Sequence, residues 1–166
     1  MKIFETTHLL VRQFTAADAD SFFLINGNEQ VMRYIRPAKS REDSDAFLEE
    51  NIRLYAANPG AGRWAVAEKS NGQVIGMFSL LPVQGGAGKL HIGYALLPAY
   101  WGKGYATTLL EAGCAHFFGS HPRTTLYAIT RQENVASEKV LLKCGFRFSE
   151  LFAEHERLWK KEPVFY

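Results

Sequence analysis

Short apolar-rich runs bounded by polar and turn residues recur in the first hundred residues, which is the pattern of strands, and in the last of these runs apolar residues alternate with others. These runs cover residues 8–14, 63–69, 73–81 and 89–97. Asn71-Gly72 stands between the second and third runs, and this dipeptide favours a tight hairpin turn. We therefore predict a first strand near the start of the chain and a later antiparallel meander of three strands.

Between the first strand and the meander, apolar residues recur at the three- to four-residue spacing of a helix face. One helix is predicted over about 16–26, after a capping pair formed by Thr15 and Asp18. A short helical segment follows at 29–35. A longer helix begins at Ser40, whose hydroxyl can cap it, and ends before Asn58-Pro59-Gly60.

After residue 97 strands and helices alternate. A helix follows Gly104, a β-branched strand covers 124–130, and another helix opens at Asn134 and ends at Gly145. The tail offers a strand over 146–152 and a last short one over 163–166. A strand–helix–strand succession requires a crossover onto a partly parallel sheet. We therefore predict a mixed α/β fold of the α+β type, with an antiparallel first half.

Composition removes several classes of function. A net charge of +2 over 166 residues gives no electrostatic case for nucleic acid or a membrane surface. No apolar run reaches the roughly 18 residues of a transmembrane helix, and the N-terminus has no signal-peptide core. Cys114 and Cys144 are too few for a disulfide framework, and both are predicted to be buried free thiols. We expect a cytoplasmic protein of one domain, over 1–166, without a metal site.

The first candidate for chemistry is Gly102-Lys103-Gly104, between a strand and a helix. The first amides of a helix lack intrahelical acceptors, and glycines let the chain approach an anion closely. A dinucleotide fingerprint would need a third glycine where Thr107 stands, and the spacing of a phosphate loop is absent. Taken alone, the glycines indicate either an anion site or a plain turn.

A second candidate lies at the start of the next helix, where Asn134 and Ser137 occupy one face and one end. Both helices follow the carboxyl ends of neighbouring strands. Open α/β sheets bind their ligands at this edge. The two helix starts together therefore favour a ligand site.

The runs GYALLPAYWGKGYA (93–106) and NVASEKVLLKCGF (134–146) resemble the GNAT superfamily of acetyl-CoA-dependent N-acetyltransferases. The likeness is narrower to its RimJ/RimL-like branch, and LLVRQFTAADADSFF and NEQVMRYI extend it nearly from end to end. The resemblance implies a centrally splayed sheet of six to seven strands flanked by helices. It also implies acetyl transfer from acetyl-CoA, as co-substrate, to a primary amine on a protein N-terminus or a small molecule.

By this resemblance, main-chain amides after Trp101 hold the coenzyme pyrophosphate, although Trp101 replaces the family's usual Gln or Arg. The pantetheine arm would lie beside Leu96 or Leu97, one of whose amides would donate to the thioester carbonyl, and Asn134 would bond the arm. The implied coenzyme-binding set is Leu96, Leu97, Trp101, Gly102, Lys103, Gly104, Tyr105, Ala106, Thr107, Asn134 and Ser137.

The resemblance also suggests catalytic residues. Ser137 would assist departure of the thiolate, because Leu141 stands where many members carry a tyrosine; the alternative is that Ser137 only favours the helix start. For the general base, counting from Gly145 gives Glu156, with Glu154 beside it. His91 is the rival, since an unperturbed imidazole titrates near neutrality. Water alone remains open.

The sequence determines the identity of the amine acceptor least of all. Residues 29–40, the loop 82–88 and the tail are irregular enough to shape it, and Tyr34, Arg36 and Trp64 are candidates to line it. Arg36 would suit an acceptor with a carboxylate. Two other functions stay open: a non-catalytic acyl-CoA sensor and a nucleotide-dependent enzyme. The chain could act as a monomer or a homodimer.

Overall fold

A computed structural model describes residues 1–165 of the chain. The strands are β1 (Lys2–Glu5), β2 (Leu9–Arg12), β3 (Gly62–Glu68), β4 (Val74–Pro82), β5 (Leu90–Leu96), β6 (Leu126–Arg131), β7 (Arg147–Ala153) and β8 (Glu156–Lys161). The helices are α1 (Ala19–Asn26), α2 (Glu29–Met32), α3 (Arg41–Ala57), α4 (Tyr105–Ser120) and α5 (Val135–Lys143). Short 3₁₀ turns stand at Ala16–Asp18 and Pro98–Tyr100. None of the helices within 1–165 is long and apolar enough to span a membrane.

The strands form one sheet in the order β1-β2-β3-β4-β5-β6-β8-β7. Every neighbouring pair is antiparallel except β5 with β6, which is parallel. The predicted antiparallel meander and the crossover through α4 are therefore confirmed. The sheet has eight strands where six to seven were expected.

The additional strand is β1, and the last strand lies earlier in the chain than predicted. The prediction began the first strand at residue 8, whereas β1 lies earlier and pairs with β2. The strand predicted over 163–166 is wrong, because residues 163–165 lie in no strand and Tyr166 is outside the described residues. The last strand is instead β8, which pairs with β6 on one edge and β7 on the other. Its sequence is mostly charged, so it shows no apolar pattern that would predict a strand.

The two faces of the sheet carry separate apolar cores. One core packs α1, α2 and α3 against alternate residues of the central strands, among them Ala65, Met77 and Ala95. The other packs α4 and α5 on the opposite face. Gly113 lets α4 lie directly on the sheet, since a Cβ there would stand 2.5 Å from the Phe78 ring. Both cysteines are buried and free, as predicted.

The sheet opens between β5 and β6. These strands pair only at His91 with Tyr127 and at Ile92 with Ala128. Beyond Ile92 no further pairs join them, although β5 continues to Leu96 and β6 to Arg131. A gap therefore opens at the carboxyl ends of the two central strands, next to the starts of α4 and α5.

Candidate active site

The turn before α4 combines a left-handed backbone with exposed amides. Gly102 and Gly104 have φ angles of 71° and 80°, a region that side chains with a Cβ rarely adopt. The described hydrogen bonds of the helix start at the Thr108 amide, which donates to the Gly104 carbonyl. The amides of Tyr105, Ala106 and Thr107 therefore have no acceptor within α4.

The surroundings of this turn suit an anion. The helix dipole adds partial positive charge at the start of α4. Lys103, within the turn, is exposed, and its ammonium lies 5.5 Å from the centre of the Tyr100 ring, so the turn itself carries a full positive charge. A Cβ on Gly102 or Gly104 would meet no atom within 4 Å, so the space above the turn is open. The turn therefore combines amides that lack acceptors with open space in front of them.

Asn134 caps α5, as its position in the sequence predicts. Its side-chain oxygen accepts a hydrogen bond of 3.2 Å from the Ser137 amide. This bond leaves the side-chain NH₂ of Asn134 free to donate elsewhere. The Ser137 hydroxyl is only partly buried, at the end of α5 that borders the gap.

Tyr94, which the sequence did not single out, lies next to Ser137. Burial raises the pKa of the Tyr94 phenol, and the nearby Ser137 side chain opposes part of that rise. The alternation of Ile92, Tyr94 and Leu96 predicted that all three lie on one face of the strand, but it did not predict which helix covers that face. The structure shows that α5 supplies the neighbour.

The main chain of β5 decides which amides face the gap. The Leu97 amide donates to the Ile75 carbonyl at 2.9 Å, so it is turned towards β4 and corrects the expectation that Leu97 could bind the thioester. Because an antiparallel ladder alternates, Leu96 and Tyr94 turn their main-chain groups to the other edge. That edge is the gap, so Leu96 remains a candidate and Tyr94 joins it.

The two base candidates share the face of the sheet covered by α1–α3. His91 alternates with Ala95 on β5, and Glu156 is in register with Arg131 on β6. Ser137 lies on the opposite face with α5, so the structure separates the proposed acid from either base by the sheet itself. Burial, and secondarily the charge of Arg63, lowers the pKa of His91 below 6.5.

Three acceptor expectations meet different outcomes. The expectation that Trp64 lines the acceptor site is wrong, because its side chain is buried in the core beneath α4. The loop 82–88 is also distant, since it joins β4 to the amino end of β5, away from the gap. Arg36 lines a cleft of about 480 Å³ whose other walls include Arg131 at the carboxyl end of β6.

Several known proteins resemble this chain. A family model described as an acetyltransferase (GNAT) domain matches residues 8–147. The "uncharacterized N-acetyltransferase YoaA" of Bacillus subtilis (strain 168) is 27% identical over 147 residues, which cover 87% of this chain and 82% of that protein.

Solved structures give the same fold. A GNAT-family acetyltransferase from Bacillus anthracis superposes with a TM-score of 0.81 at 23% identity, over 98% of both chains. RimL, a ribosomal L7/L12 alpha-N-protein acetyltransferase in complex with coenzyme A, superposes with a TM-score of 0.83 at 17% identity, again over 98% of both chains. These likenesses show that the chain has the fold of these acetyltransferases. With the family model matching most of its length, the chain belongs to the GNAT family of acetyltransferases.

Proposed function

We propose that this protein transfers the acetyl group of acetyl-CoA directly to a primary amine, with both substrates bound at once. One observation carries the proposal: β5 turns the amides of Tyr94 and Leu96 into a gap at the same end where the turn before α4 leaves amides without acceptors. An elongated ligand with an anionic end and an amide-bearing arm would satisfy both sets of groups.

The coenzyme fits the residues at this edge. The amides that follow Gly102 and Gly104 would hold its pyrophosphate, because they are unpaired and the space above them is open. The side-chain NH₂ of Asn134 would donate to the pantetheine arm. Bound there, acetyl-CoA supplies the acetyl thioester and a thiolate leaving group.

Two groups of the chain would act on the reacting atoms. The Tyr94 amide faces the gap beside Ser137 and would donate to the thioester oxygen as negative charge develops there. The Ser137 hydroxyl would donate a hydrogen bond to the departing sulfur. We favour the Tyr94 amide over that of Leu96 because it belongs to the residue whose side chain lies near Ser137.

The acceptor amine must be neutral to attack. A lysine-like amine has a pKa near 10.4, whereas an α-amino group titrates near 8 and needs less help. His91 is neutral at pH 7 because its pKa is lowered, so it can accept a proton, and Glu156 lies on the same face. The amine would thus approach from the α1–α3 face, opposite Ser137.

The proposal is tested in two stages. Calorimetry with coenzyme A, ATP and NAD should give binding to coenzyme A alone. Thiol release from acetyl-CoA is then measured over a panel of amines, with acetylated product identified by mass. Tight coenzyme binding with no thiol release from any amine would contradict catalysis and favour an acyl-CoA sensor. Binding of ATP or NAD instead would contradict the coenzyme site.

A further inference from the structure

Two arginines surround one aromatic ring on the α1–α3 face of the sheet. The guanidinium carbons of Arg36 and Arg63 each lie 5.0 Å from the centre of the Phe47 ring. The Lys39 ammonium lies 4.8 Å from the same centre. His91 lies on the same face of the sheet, and its pKa is lowered by burial and in part by the charge of Arg63. We call Arg36, Lys39 and Arg63 the cationic cluster.

The cationic cluster has no carboxylate to balance it. Within residues 1–165, no Asp or Glu oxygen comes within 4.0 Å of the charged nitrogens of Arg36, Lys39 or Arg63, although arginines elsewhere form such pairs. The Nε of Arg36 is buried and makes no hydrogen bond within the described chain. Burial, then the charge of Arg63, lowers the pKa of Arg36 to about 10. Two like charges are thus held together with no carboxylate of the described chain to neutralise them, and their contacts with the Phe47 ring offset only part of the cost.

The cluster is fixed in place by the fold. Arg36 donates a 2.8 Å hydrogen bond to the side-chain oxygen of Asn26, which is fully buried. The Asn26 carbonyl accepts a bond of 2.8 Å from the Lys39 amide. On the other side, Asn51 and Tyr55 of α3 both donate to the Arg63 carbonyl. These contacts hold the main chain and leave the Arg63 guanidinium free.

Between the cationic cluster and the gap lies a part of the sheet surface on which no helix packs. Arg63, Ser79 and Gly93 are in register on neighbouring strands and share one face. A Cβ at Gly93 would meet only the Ser79 hydroxyl oxygen, at 2.9 Å, so no helix covers this position. Gly93 is also the first β5 residue beyond the pairing with β6. This surface therefore connects the cationic cluster with the proposed reaction centre.

The cleft on the other side of Arg36 is cationic as well. Its lining includes Arg33 and Arg131, with Glu29 as the only carboxylate among the residues that form it. Neither Arg33 nor Arg131 pairs with a carboxylate within residues 1–165. Positive charge thus extends along the side from which an acceptor would approach.

We infer that the acceptor carries a carboxylate, which the Arg36 and Arg63 guanidiniums bind while its amine reaches the gap along Gly93. Guanidinium is the side-chain group that matches a carboxylate with two parallel hydrogen bonds, and the buried Nε of Arg36 would gain a partner. The inference rests on the proposed function and adds the substrate class. The carboxylate could belong to a small amino acid or to an acidic residue near a peptide N-terminus.

Matched acceptors test the inference. The first pair is β-alanine and β-alaninamide; the second is a peptide beginning Ser-Asp-Glu and the same peptide beginning Ser-Asn-Gln. Rates are compared as kcat/KM per neutral amine. The carboxylate member should be preferred by about 10-fold or more in at least one pair, as for hydrogen bonds to charged groups, and that pair identifies the source. Equal or better use of the uncharged member in both pairs would overturn the inference.

Variants then locate the effect. Arg36→Gln and Arg63→Gln should each lower kcat/KM for the preferred acceptor by about 10- to 100-fold relative to its change for the uncharged acceptor, a ratio that cancels any effect through His91. Arg63→Gln is decisive if Arg36→Gln disturbs the contact with Asn26. The control is Arg123→Gln, an exposed position ahead of β6 with the same change of charge. If Arg36→Gln and Arg63→Gln change kcat/KM no more than Arg123→Gln does, the inference is overturned.

A binding measurement separates this inference from the proposed function. The N-acetylated form of the acidic peptide and of β-alanine is titrated into each variant, with coenzyme affinity measured in parallel. Binding that depends on Arg36 and Arg63 supports the carboxylate site even if no amine is acetylated, in which case the proposed function alone fails. A second outcome is that the enzyme neither prefers acceptors with a carboxylate nor binds the acetylated products through these arginines. If it still binds coenzyme A and acetylates other amines, only the carboxylate site is wrong.

Discussion

The indole Nε1 of Trp101 donates a hydrogen bond of 2.7 Å to the main-chain carbonyl of Leu96. The bond joins the turn before α4 to the end of β5 on the side that faces the gap. It gives a physical reason for a tryptophan at this position, where the family usually has Gln or Arg. The side chain fixes the distance between the proposed pyrophosphate cradle and the strand that would hold the arm.

Trp101→Phe should therefore weaken coenzyme A binding by about 2- to 10-fold, the value of one ordinary hydrogen bond. The ring is 46% exposed, so the thermal midpoint should change little. Calorimetry measures the affinity and circular dichroism the midpoint. An unchanged dissociation constant would mean that the bond does not position the turn.

Gly104→Val should abolish measurable coenzyme binding, because a branched side chain would fill the space above the turn. Its φ of 80° also makes valine strained, which costs about 1–2 kcal/mol of stability. Gly72→Val is the matched control: Gly72 has φ 72° and equally open surroundings, but lies in the β3–β4 turn. Both variants should lose similar stability and only the first should lose affinity. Equal affinity in the two variants would show that the cradle lies elsewhere.

Ser137→Ala should lower kcat by about 10- to 100-fold with little change in coenzyme affinity, because the hydroxyl would act mainly on the departing sulfur. Asn134 still caps α5 in this variant, since the capping bond uses the Ser137 amide. Tyr94→Phe, which removes the neighbouring hydroxyl, should have a smaller effect. Stopped-flow thiol detection measures both variants. A normal kcat in Ser137→Ala would limit the residue to favouring the helix start.

The pH dependence distinguishes the two base candidates. If His91 is the base, kcat/KM per neutral amine should fall as pH drops through a midpoint below 6.5, because burial and Arg63 lower the pKa of His91. Arg63→Gln removes one of these causes and should move the midpoint upward. NMR titration of the His91 ring checks the same pKa directly. If Glu156→Gln, and not His91→Gln, abolishes the acidic limb, Glu156 is the base.

Local features of the fold could be predicted from the sequence because they depend on neighbouring residues. Ser40 and Asn134 cap their helices as expected, since a capping side chain bonds amides within three residues. The hairpin between β3 and β4 also follows from its own turn residues. The strand β8 could not be found this way, because a charged strand is recognisable only from partners on both sides.

The sequence by itself determined the order of most helices and strands, the glycine turn before α4, the cap of α5 and the resemblance to the GNAT family. Only the tertiary structure decided that Tyr94 lies near Ser137, that Glu156 shares a sheet face with His91, and that Arg36 and Arg63 enclose Phe47. The physical reason is distance along the chain: a cap or a turn is completed within a few residues, whereas these contacts join residues of separate elements. Strand order and register bring them together, and neither can be read from any one segment.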